Sequence, residues 1–196
     1  MKPLGDGAWR IARPEGLSAA DLLARLRALP RVQDVVVTEN FACVYFNPAA
    51  PPNDLAEALT RPSSGSAVAL PQTLTLRARY DGPDLVDVGE RLALSTEEVV
   101  RRHVERTYVV QAMGFLPGFA YLGPLDDKLA LPRRASPRAR VTRGAIGIAA
   151  GYTAVYPYAS AGGWHLIATA VDFRAFSMED GALLHVGDRV QFVRMG

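Results

Sequence analysis

Hydrophobic and polar positions over the first sixty residues alternate between the period of a strand and that of a helix. Residues 8–12 have the pattern of a short strand, and after Ser18 the leucines recur along one helical face until Pro30. Residues 33–38 and 41–46 are two apolar runs, separated by a gap short enough for a hairpin. The pattern therefore predicts a strand, a capped helix and a β-hairpin in this order.

A second short helix is predicted from Asp54 to Leu59, because Asp54 can cap it and Glu57 holds the capping-box position. The resulting β-α-β-β-α order predicts a small α+β domain over residues 1–62, with helices on an antiparallel sheet as in ferredoxin-like folds. Residues 63–72 are rich in Ser, Gly and Pro, which is typical of a linker.

The remainder, residues 73–196, has the pattern of a mainly β domain. Apolar and polar residues alternate from Leu74 to Tyr80, as in a half-buried strand. Ser95 and Glu98 form a capping box that opens a helix. Short strands and turns fill the rest, and one helix among many short strands predicts a closed or nearly closed β-barrel.

Residues 144–171 contain no Asp, Glu, Lys or Arg and are long enough to span a membrane. Five glycines and a proline interrupt this stretch, so buried strands joined by tight turns are predicted instead of a membrane helix. The first residues lack the apolar core of a secretory signal, so a cytoplasmic protein is expected. Cys43, the single cysteine, lies in an apolar run, where an inert buried thiol is expected.

The basic residues are concentrated in one segment. The net charge of +2 is too small to indicate a nucleic-acid or membrane partner, but Arg133 to Arg143 holds five arginines and no acid. Guanidinium groups suit a carboxylate or a phosphate, so Arg133 and Arg138 are candidate ligands of a small anionic substrate. A solvated loop face and an acidic partner surface are the alternatives.

Two stretches combine glycines and aromatic residues at unusual density. The first is Gly-Phe-Leu-Pro-Gly-Phe-Ala-Tyr-Leu-Gly at 114–123; the second is Thr-Ala-Val-Tyr-Pro at 153–157, leading into Gly-Gly-Trp-His-Leu-Ile at 162–167. Together with Gly-Asp-Gly-Ala at 5–8 and Tyr-Asp-Gly-Pro-Asp-Leu at 80–85, they resemble the family of 5-oxoprolinase B subunits. This family includes the inhibitor of a sporulation histidine kinase. It is similar to allophanate hydrolase subunit 1 and to half of the carboxyltransferase domain of urea carboxylase.

The resemblance implies a ferredoxin-like N-terminal domain followed by a cyclophilin-like barrel. It also implies a composite enzyme that hydrolyses 5-oxo-L-proline to L-glutamate with ATP, in which a cyclophilin-like C-type subunit pairs with this chain and an A-type subunit completes the assembly. ATP is thereby implied for the complex. This sequence has no P-loop of its own, and the chain alone is expected to be inactive.

The sequence departs from the family pattern at two well-marked positions. Tyr152 stands where the family has a glutamine, and Thr169 stands where it has an arginine. Both are expected to line the same cleft as Phe119 and Trp164. The natural substrate or its affinity is therefore expected to differ from the family's.

The candidate substrate-binding residues outside the arginine segment share small size or flat aromatic faces. A glycine lets backbone approach a ligand closely, and aromatic rings form a pocket wall. A turn with its aromatics in the core is the alternative. These candidates are Gly118, Phe119, Tyr121, Tyr152 and Trp164.

Among the three histidines, His165 is the candidate for the cleft because it follows Trp164, and as a base it remains a hypothesis. His103 is expected to be a hydrogen-bonded structural imidazole on a helix. No histidine pair has the spacing of a helical zinc site, so no metal is expected.

The sequence supports two main hypotheses of function. The first is one subunit of a composite 5-oxoprolinase-type hydrolase, and the alternative is a regulatory inhibitor that binds a sensor histidine kinase. A cyclophilin-like scaffold without catalysis is a third hypothesis.

Overall fold

The computed structural model describes residues 1–46, 55–60 and 71–196. The chain divides into two compact units, the first comprising residues 1–71 with 111–113 and the second residues 72–110 with 114–196. The predicted helix cap Asp54 and residues 63–70 of the predicted linker lie outside the described residues.

The first unit is a four-stranded antiparallel sheet with two helices. Its elements are β1 (Lys2–Leu4), β2 (Ala8–Ala12), α1 (Ala19–Arg27), β3 (Val32–Val37), β4 (Phe41–Phe46) and α2 (Leu55–Thr60). The strand order is β1-β2-β4-β3, so β2 and β3 run in the same direction on either side of β4. As predicted, Ser18 caps α1, because its hydroxyl oxygen accepts a hydrogen bond from the Asp21 amide. The predicted β3–β4 hairpin is closed by a hydrogen bond from the Thr38 amide to the Phe41 carbonyl.

The core of the first unit lies on one face of this sheet. Leu22 and Leu26 of α1 are fully buried, and α1 packs against β3. On β4 the buried residues alternate with Phe41, Cys43 and Tyr45, which lie on the outer face. Cys43 is therefore only half-buried, and the expectation of a buried thiol was wrong because the strand's alternation places it outside.

The second unit is built on a closed barrel, as predicted. Its elements are β5 (Thr73–Arg79), α3 (Leu85–Leu92), α4 (Thr96–Val104), β6 (Thr107–Met113), β7 (Ala120–Gly123), a 3₁₀ turn (Asp127–Leu129), β8 (Arg138–Val141), β9 (Ala145–Ala149), β10 (Tyr152–Val155), β11 (Ser160–Gly162), β12 (His165–Ala170), β13 (Phe176–Ser177), β14 (Gly181–Ala182) and β15 (Arg189–Arg194). The strand order around the barrel is β10-β7-β6-β15-β5-β12-β9.

Helix α3 was not predicted, and the expectation of one helix in this domain was wrong. Its sequence includes Gly89, which lowers helix propensity. The glycine is required by packing, because a Cβ at this position would lie 2.7 Å from the Leu94 carbonyl oxygen. Helix α4 begins at the predicted cap, where the Ser95 hydroxyl accepts the Glu98 amide at 3.1 Å.

The barrel closes through parallel pairing of β5 with β15, in register from Thr73 opposite Arg189 to Ala78 opposite Arg194. Asp188 fixes this register. Its buried carboxylate accepts the Gln72 amide at 3.1 Å and the Gln72 side-chain amide at 3.0 Å. One carboxylate therefore joins the start of the first barrel strand to the start of the last.

The charge-free segment 144–171 forms strands β9 to β12, as predicted, and β9 is buried throughout. Across the described ranges, no helix has both the length and the apolar character needed to cross a membrane.

Gly82 packs against an irregularity in β12, where the pairing register with β9 shifts between Leu166 and Ala168. The Gly82 amide donates to the Ile167 carbonyl at 3.2 Å. A Cβ on Gly82 would lie 2.3 Å from the Ile167 carbonyl carbon, so only glycine fits.

The barrel interior contains a directed chain of hydrogen bonds through His103, which α4 contributes and which is fully buried. The Thr153 hydroxyl donates to the Gly147 carbonyl at 3.1 Å, so it must accept the proton of His103 Nε2 at 2.9 Å. His103 Nδ1 then accepts from the Tyr80 hydroxyl at 2.7 Å. Burial lowers the pKa of His103 to about 3. The predicted structural role of this imidazole is confirmed.

We expect Gly82→Ala to lower the free energy of unfolding by roughly 2–3 kcal/mol, because the added methyl group would push the backbone at Gly82 away from the backbone at Ile167. Gly163→Ala is the matched control, since the nearest atoms to its Cβ would be 3.7 Å away. It should cost roughly 1 kcal/mol or less. Urea unfolding of both variants measures the difference, and equal losses would contradict the close approach at Gly82.

His103 should make stability depend on pH. Its pKa is 6.5 when unperturbed and about 3 in the folded chain, so between these values the unfolded state binds one more proton. The free energy of unfolding should therefore fall with decreasing pH, by up to roughly 1.4 kcal/mol per pH unit from this residue. His103→Gln keeps a donor and an acceptor but cannot bind that proton, so its pH profile should be flatter by this amount.

Urea unfolding between pH 3.5 and 6.5, roughly the window set by these pKa values, measures the slopes. A His103→Gln profile parallel to the wild type would contradict the buried neutral imidazole.

Candidate functional site

Six aromatic side chains meet beside β9 on the second unit. We call this group the aromatic cluster: Phe115, Phe119, Tyr121, Tyr152, Tyr156 and Trp164. Phe119 lies at its centre, with ring centroids 5.1 Å from Tyr121 and 5.7 Å from Trp164. Tyr152 joins through Tyr121 at 5.9 Å, and the contacts are edge-to-face. Four predicted candidates thus come together: Phe119, Tyr121, Tyr152 and Trp164.

Small residues of β9 make room for these rings. Ala145, Gly147 and Ala149 alternate along the strand on the side of the aromatic cluster, and a Cβ at Gly147 would lie 3.0 Å from the Trp164 Cβ. Thr153 of β10 points to the opposite side, toward His103. The aromatic cluster is therefore separated from the barrel interior by the sheet itself.

Exposure divides the aromatic cluster into a base and a surface. Phe119, Tyr156 and Trp164 are buried, whereas Tyr121 and Tyr152 are only partly buried. The partly buried pair packs against a buried aromatic base.

The turn before β7 has a fixed backbone. Gly118 has φ +79°, and a Cβ there would lie 2.6 Å from the Ala175 carbonyl oxygen. Phe115 also has a positive φ of 74° and is 60% exposed. Gly118 was predicted to let backbone approach a ligand, but the close approach in the structure is to the backbone of Ala175.

Arg134 and Arg138 converge on Asp84, which is 4% exposed. Arg134 Nη1 and Arg138 Nη2 both donate to Asp84 Oδ1, at 3.1 Å and 2.6 Å. The Leu166 amide donates to Asp84 Oδ2 at 2.7 Å. We call Asp84, Arg134 and Arg138 the arginine cluster.

Burial by itself would raise the pKa of Asp84. The hydrogen bonds from Arg138 and the Leu166 amide, with the charges of both arginines, outweigh burial and lower the pKa below its usual value. Asp84 is therefore ionised at neutral pH.

The arginine cluster adjoins the aromatic cluster near Tyr156, because Arg138 pairs with Gly162 and a Cβ on Gly162 would lie 2.5 Å from the Tyr156 hydroxyl oxygen. Burial raises the pKa of the Tyr156 phenol, and the Trp164 amide and then the charges of Arg133 and Arg138 lower it in part. These positive charges therefore act on a ring of the aromatic cluster. Arg133 is exposed.

His165 is buried, at 1% exposed, and so does not lie open in a cleft. Its Nε2 donates to the Pro132 carbonyl at 3.0 Å. Its Nδ1 is buried without a hydrogen-bond partner among the described residues. The imidazole thus anchors the backbone just before the arginine cluster.

Thr169 does not join Tyr152, and the expectation of a shared cleft was wrong for this residue. Tyr152 pairs with Ala149 at one end of β9, whereas Thr169 pairs with Ala145 at the other end. Four residues of strand separate these positions by roughly 13 Å. Thr169 donates instead to Asp81, at 2.8 Å.

Sequence reasoning assigned no role to Asp84 or Tyr156. Both lie in segments that carried the family resemblance, at 80–85 and 153–157. One signal could have indicated Asp84. The arginine-rich segment contains no acid, so arginines of this segment that are partly buried need an acidic partner from elsewhere in the chain. Within residues 1–46, 55–60 and 71–196, no group of three or more His, Cys, Asp or Glu residues is placed to hold a metal ion.

A family profile described as "Carboxyltransferase domain, subdomain C and D" matches residues 2–182. The B subunit of 5-oxoprolinase from Escherichia coli O157:H7 is 37% identical over 192 residues, which is 94% of this chain and 83% of that protein. Among solved structures, TTHA0988 is 31% identical with a TM-score of 0.80, over 96% of this chain but 40% of the longer TTHA0988 chain.

The urea carboxylase of Kluyveromyces lactis has a TM-score of 0.69 at 14% identity, over 97% of this chain and 21% of that enzyme, which shows a shared fold alone. The family profile and the E. coli relative show the family as well as the fold, because each covers most of this chain. The chain therefore belongs to the carboxyltransferase-like family of 5-oxoprolinase B subunits.

Proposed function

We propose that this chain is the B-type subunit of a composite, ATP-dependent 5-oxoprolinase, which converts 5-oxo-L-proline to L-glutamate. The observation that carries the proposal is the adjacency of the aromatic cluster and the arginine cluster, in a chain similar over 94% of its length to the B subunit of a 5-oxoprolinase. The chain's part is to bind the substrate, and other subunits supply the remaining chemistry.

The chemistry of 5-oxoproline fits these two clusters. The substrate is a five-membered lactam that carries one carboxylate. Its ring is complementary to the partly buried face of Tyr121, and its carboxylate is complementary to guanidinium groups. Arg133, which is exposed, adds a further positive charge to the same segment.

The state of the two buried histidines supports a composite enzyme. His103 is held by Tyr80 and Thr153 inside the barrel, and His165 anchors the Pro132 carbonyl. Neither is placed to take a proton from a substrate at the surface. We therefore assign base chemistry and ATP to the complex with C-type and A-type subunits.

We further propose that the first unit is ferredoxin-like and that the barrel is cyclophilin-like. In the first unit β2 and β3 flank β4 in the manner of a split β-α-β motif, and β1 takes the remaining edge of the sheet. In the second unit, seven strands form a closed barrel that α4 packs against through β15.

The isolated chain should release no glutamate from 5-oxoproline and ATP, whereas the chain co-purified with C-type and A-type subunits should do so. A coupled glutamate assay measures both. The complex without this chain is the control and should also be inactive. Turnover by the isolated chain would contradict a composite enzyme, and an inert complete complex would contradict the proposed reaction.

Tyr152→Gln should improve binding of 5-oxoproline to the complete complex, roughly two- to tenfold in KM. The amide can exchange hydrogen bonds with the lactam N–H and carbonyl, and neutral hydrogen bonds contribute about 0.5–1.5 kcal/mol. Thr169→Arg is the matched control, because Thr169 lies at the other end of β9. A gain from Thr169→Arg but none from Tyr152→Gln would place recognition away from the aromatic cluster.

A further inference from the structure

The charges of the arginine cluster do not balance. Two guanidinium groups face one carboxylate, and both donate to the same oxygen, Asp84 Oδ1. Oδ2 is already used by the Leu166 amide. Asp84 therefore neutralises one of the two cations, and the cluster keeps a charge of +1.

Its hydrogen-bond donors do not balance either. Nε of Arg134 and Nη1 of Arg138 are buried and have no hydrogen-bond partner in the part of the chain that the structure describes. Unpaired buried donors cost free energy and are rare in native proteins. The two side chains are nevertheless 29% and 25% exposed, so the cluster has an open side.

A purely structural ion pair does not account for this arrangement. One arginine would neutralise Asp84, and the second adds a positive charge that destabilises the fold unless an anion neutralises it. Arg134 donates to Asp84 through Nη1 and Arg138 through Nη2, and both side chains are still partly exposed. The exposed part of the two guanidinium groups is therefore available to a carboxylate from outside.

We propose that Arg134 and Arg138 together bind the carboxylate of a small ring acid, and that Asp84 is the positioning residue that holds both guanidinium groups in place. The geometry of the arginine cluster is the evidence for the site itself. The identity of the acid, 5-oxoproline, rests on the proposed function. The ring of this acid would lie on the adjoining aromatic cluster.

The isolated full chain should distinguish 5-oxo-L-proline from its carboxamide, which has the same ring but no negative charge. Isothermal titration should show the acid binding at least about tenfold more tightly, because a charge-assisted pair is lost with the amide. Equal affinities, or no saturable binding of the acid in the millimolar range, would overturn the proposal. Tighter binding of inorganic phosphate than of the acid would overturn the carboxylate assignment.

Asp84→Asn separates positioning from simple charge. The substitution raises the charge of the cluster from +1 to +2, so an effect of charge alone would tighten binding of the acid. If Asp84 positions the arginines, binding should instead weaken at least about tenfold, and Asp84→Glu should restore part of it. Tighter binding by a folded Asp84→Asn chain would overturn the positioning role.

Arg138→Gln should remove the preference for acid over amide, while Arg140→Gln should keep it. Arg140 is the matched control because it is exposed on the same strand, β8. Equal behaviour of the two variants would overturn the proposal. Where a variant does not fold, the wild-type comparison of acid with amide decides alone.

The outcome is separable from that of the proposed function. If the isolated chain prefers the acid to the amide but the complete complex is inactive, the site is supported and the proposed reaction is contradicted. If the complete complex is active but the isolated chain does not prefer the acid, the reaction is supported and the site is contradicted.

Discussion

The carboxylate of Asp84 joins three parts of the barrel unit that are distant in sequence. It lies at the start of α3, accepts an amide of β12 and binds two arginines of the segment before and within β8. The Arg134 amide also donates to the Gly163 carbonyl at 2.7 Å, next to Trp164. The relation between the arginine cluster and the aromatic cluster therefore depends on one buried charge, and on the glycine two residues before it that lets the chain approach β12.

The strands β9 and β10 contribute one face to the barrel interior and the other face to the candidate site. One side of β9 and β10 faces His103, Tyr108 and Phe192, whose rings pack at 4.6–5.7 Å. The other side carries the aromatic cluster. On this side His103 is held by hydrogen bonds to Tyr80 and Thr153. We propose the outer side as the ligand-binding side, because its aromatic and guanidinium groups are partly exposed.

Local signals in the sequence were sufficient for most of the fold. The caps at Ser18 and Ser95 and the β3–β4 hairpin depend on neighbouring residues, so the sequence alone predicted them. Helix α3 was missed because its glycine is explained only by contact with Leu94. In the site, the density of rings predicted the aromatic cluster. The other features of the site depend on contacts between distant residues and could not be predicted. Asp84, which binds the arginines, lies 50 residues before Arg134. Thr169 lies on a strand that pairs with β9, but at the end of β9 far from Tyr152.

The parallel pairing of β5 with β15 has a consequence for synthesis of the chain. Asp188 and its partner Gln72 are 116 positions apart, so the first barrel strand leaves the ribosome long before its neighbour exists. Until then the edge of β5 that pairs with β15 is open, and such edges are prone to join other chains. Non-local pairing of this kind also slows folding. The nascent barrel therefore exposes this strand edge until the last strand has been made.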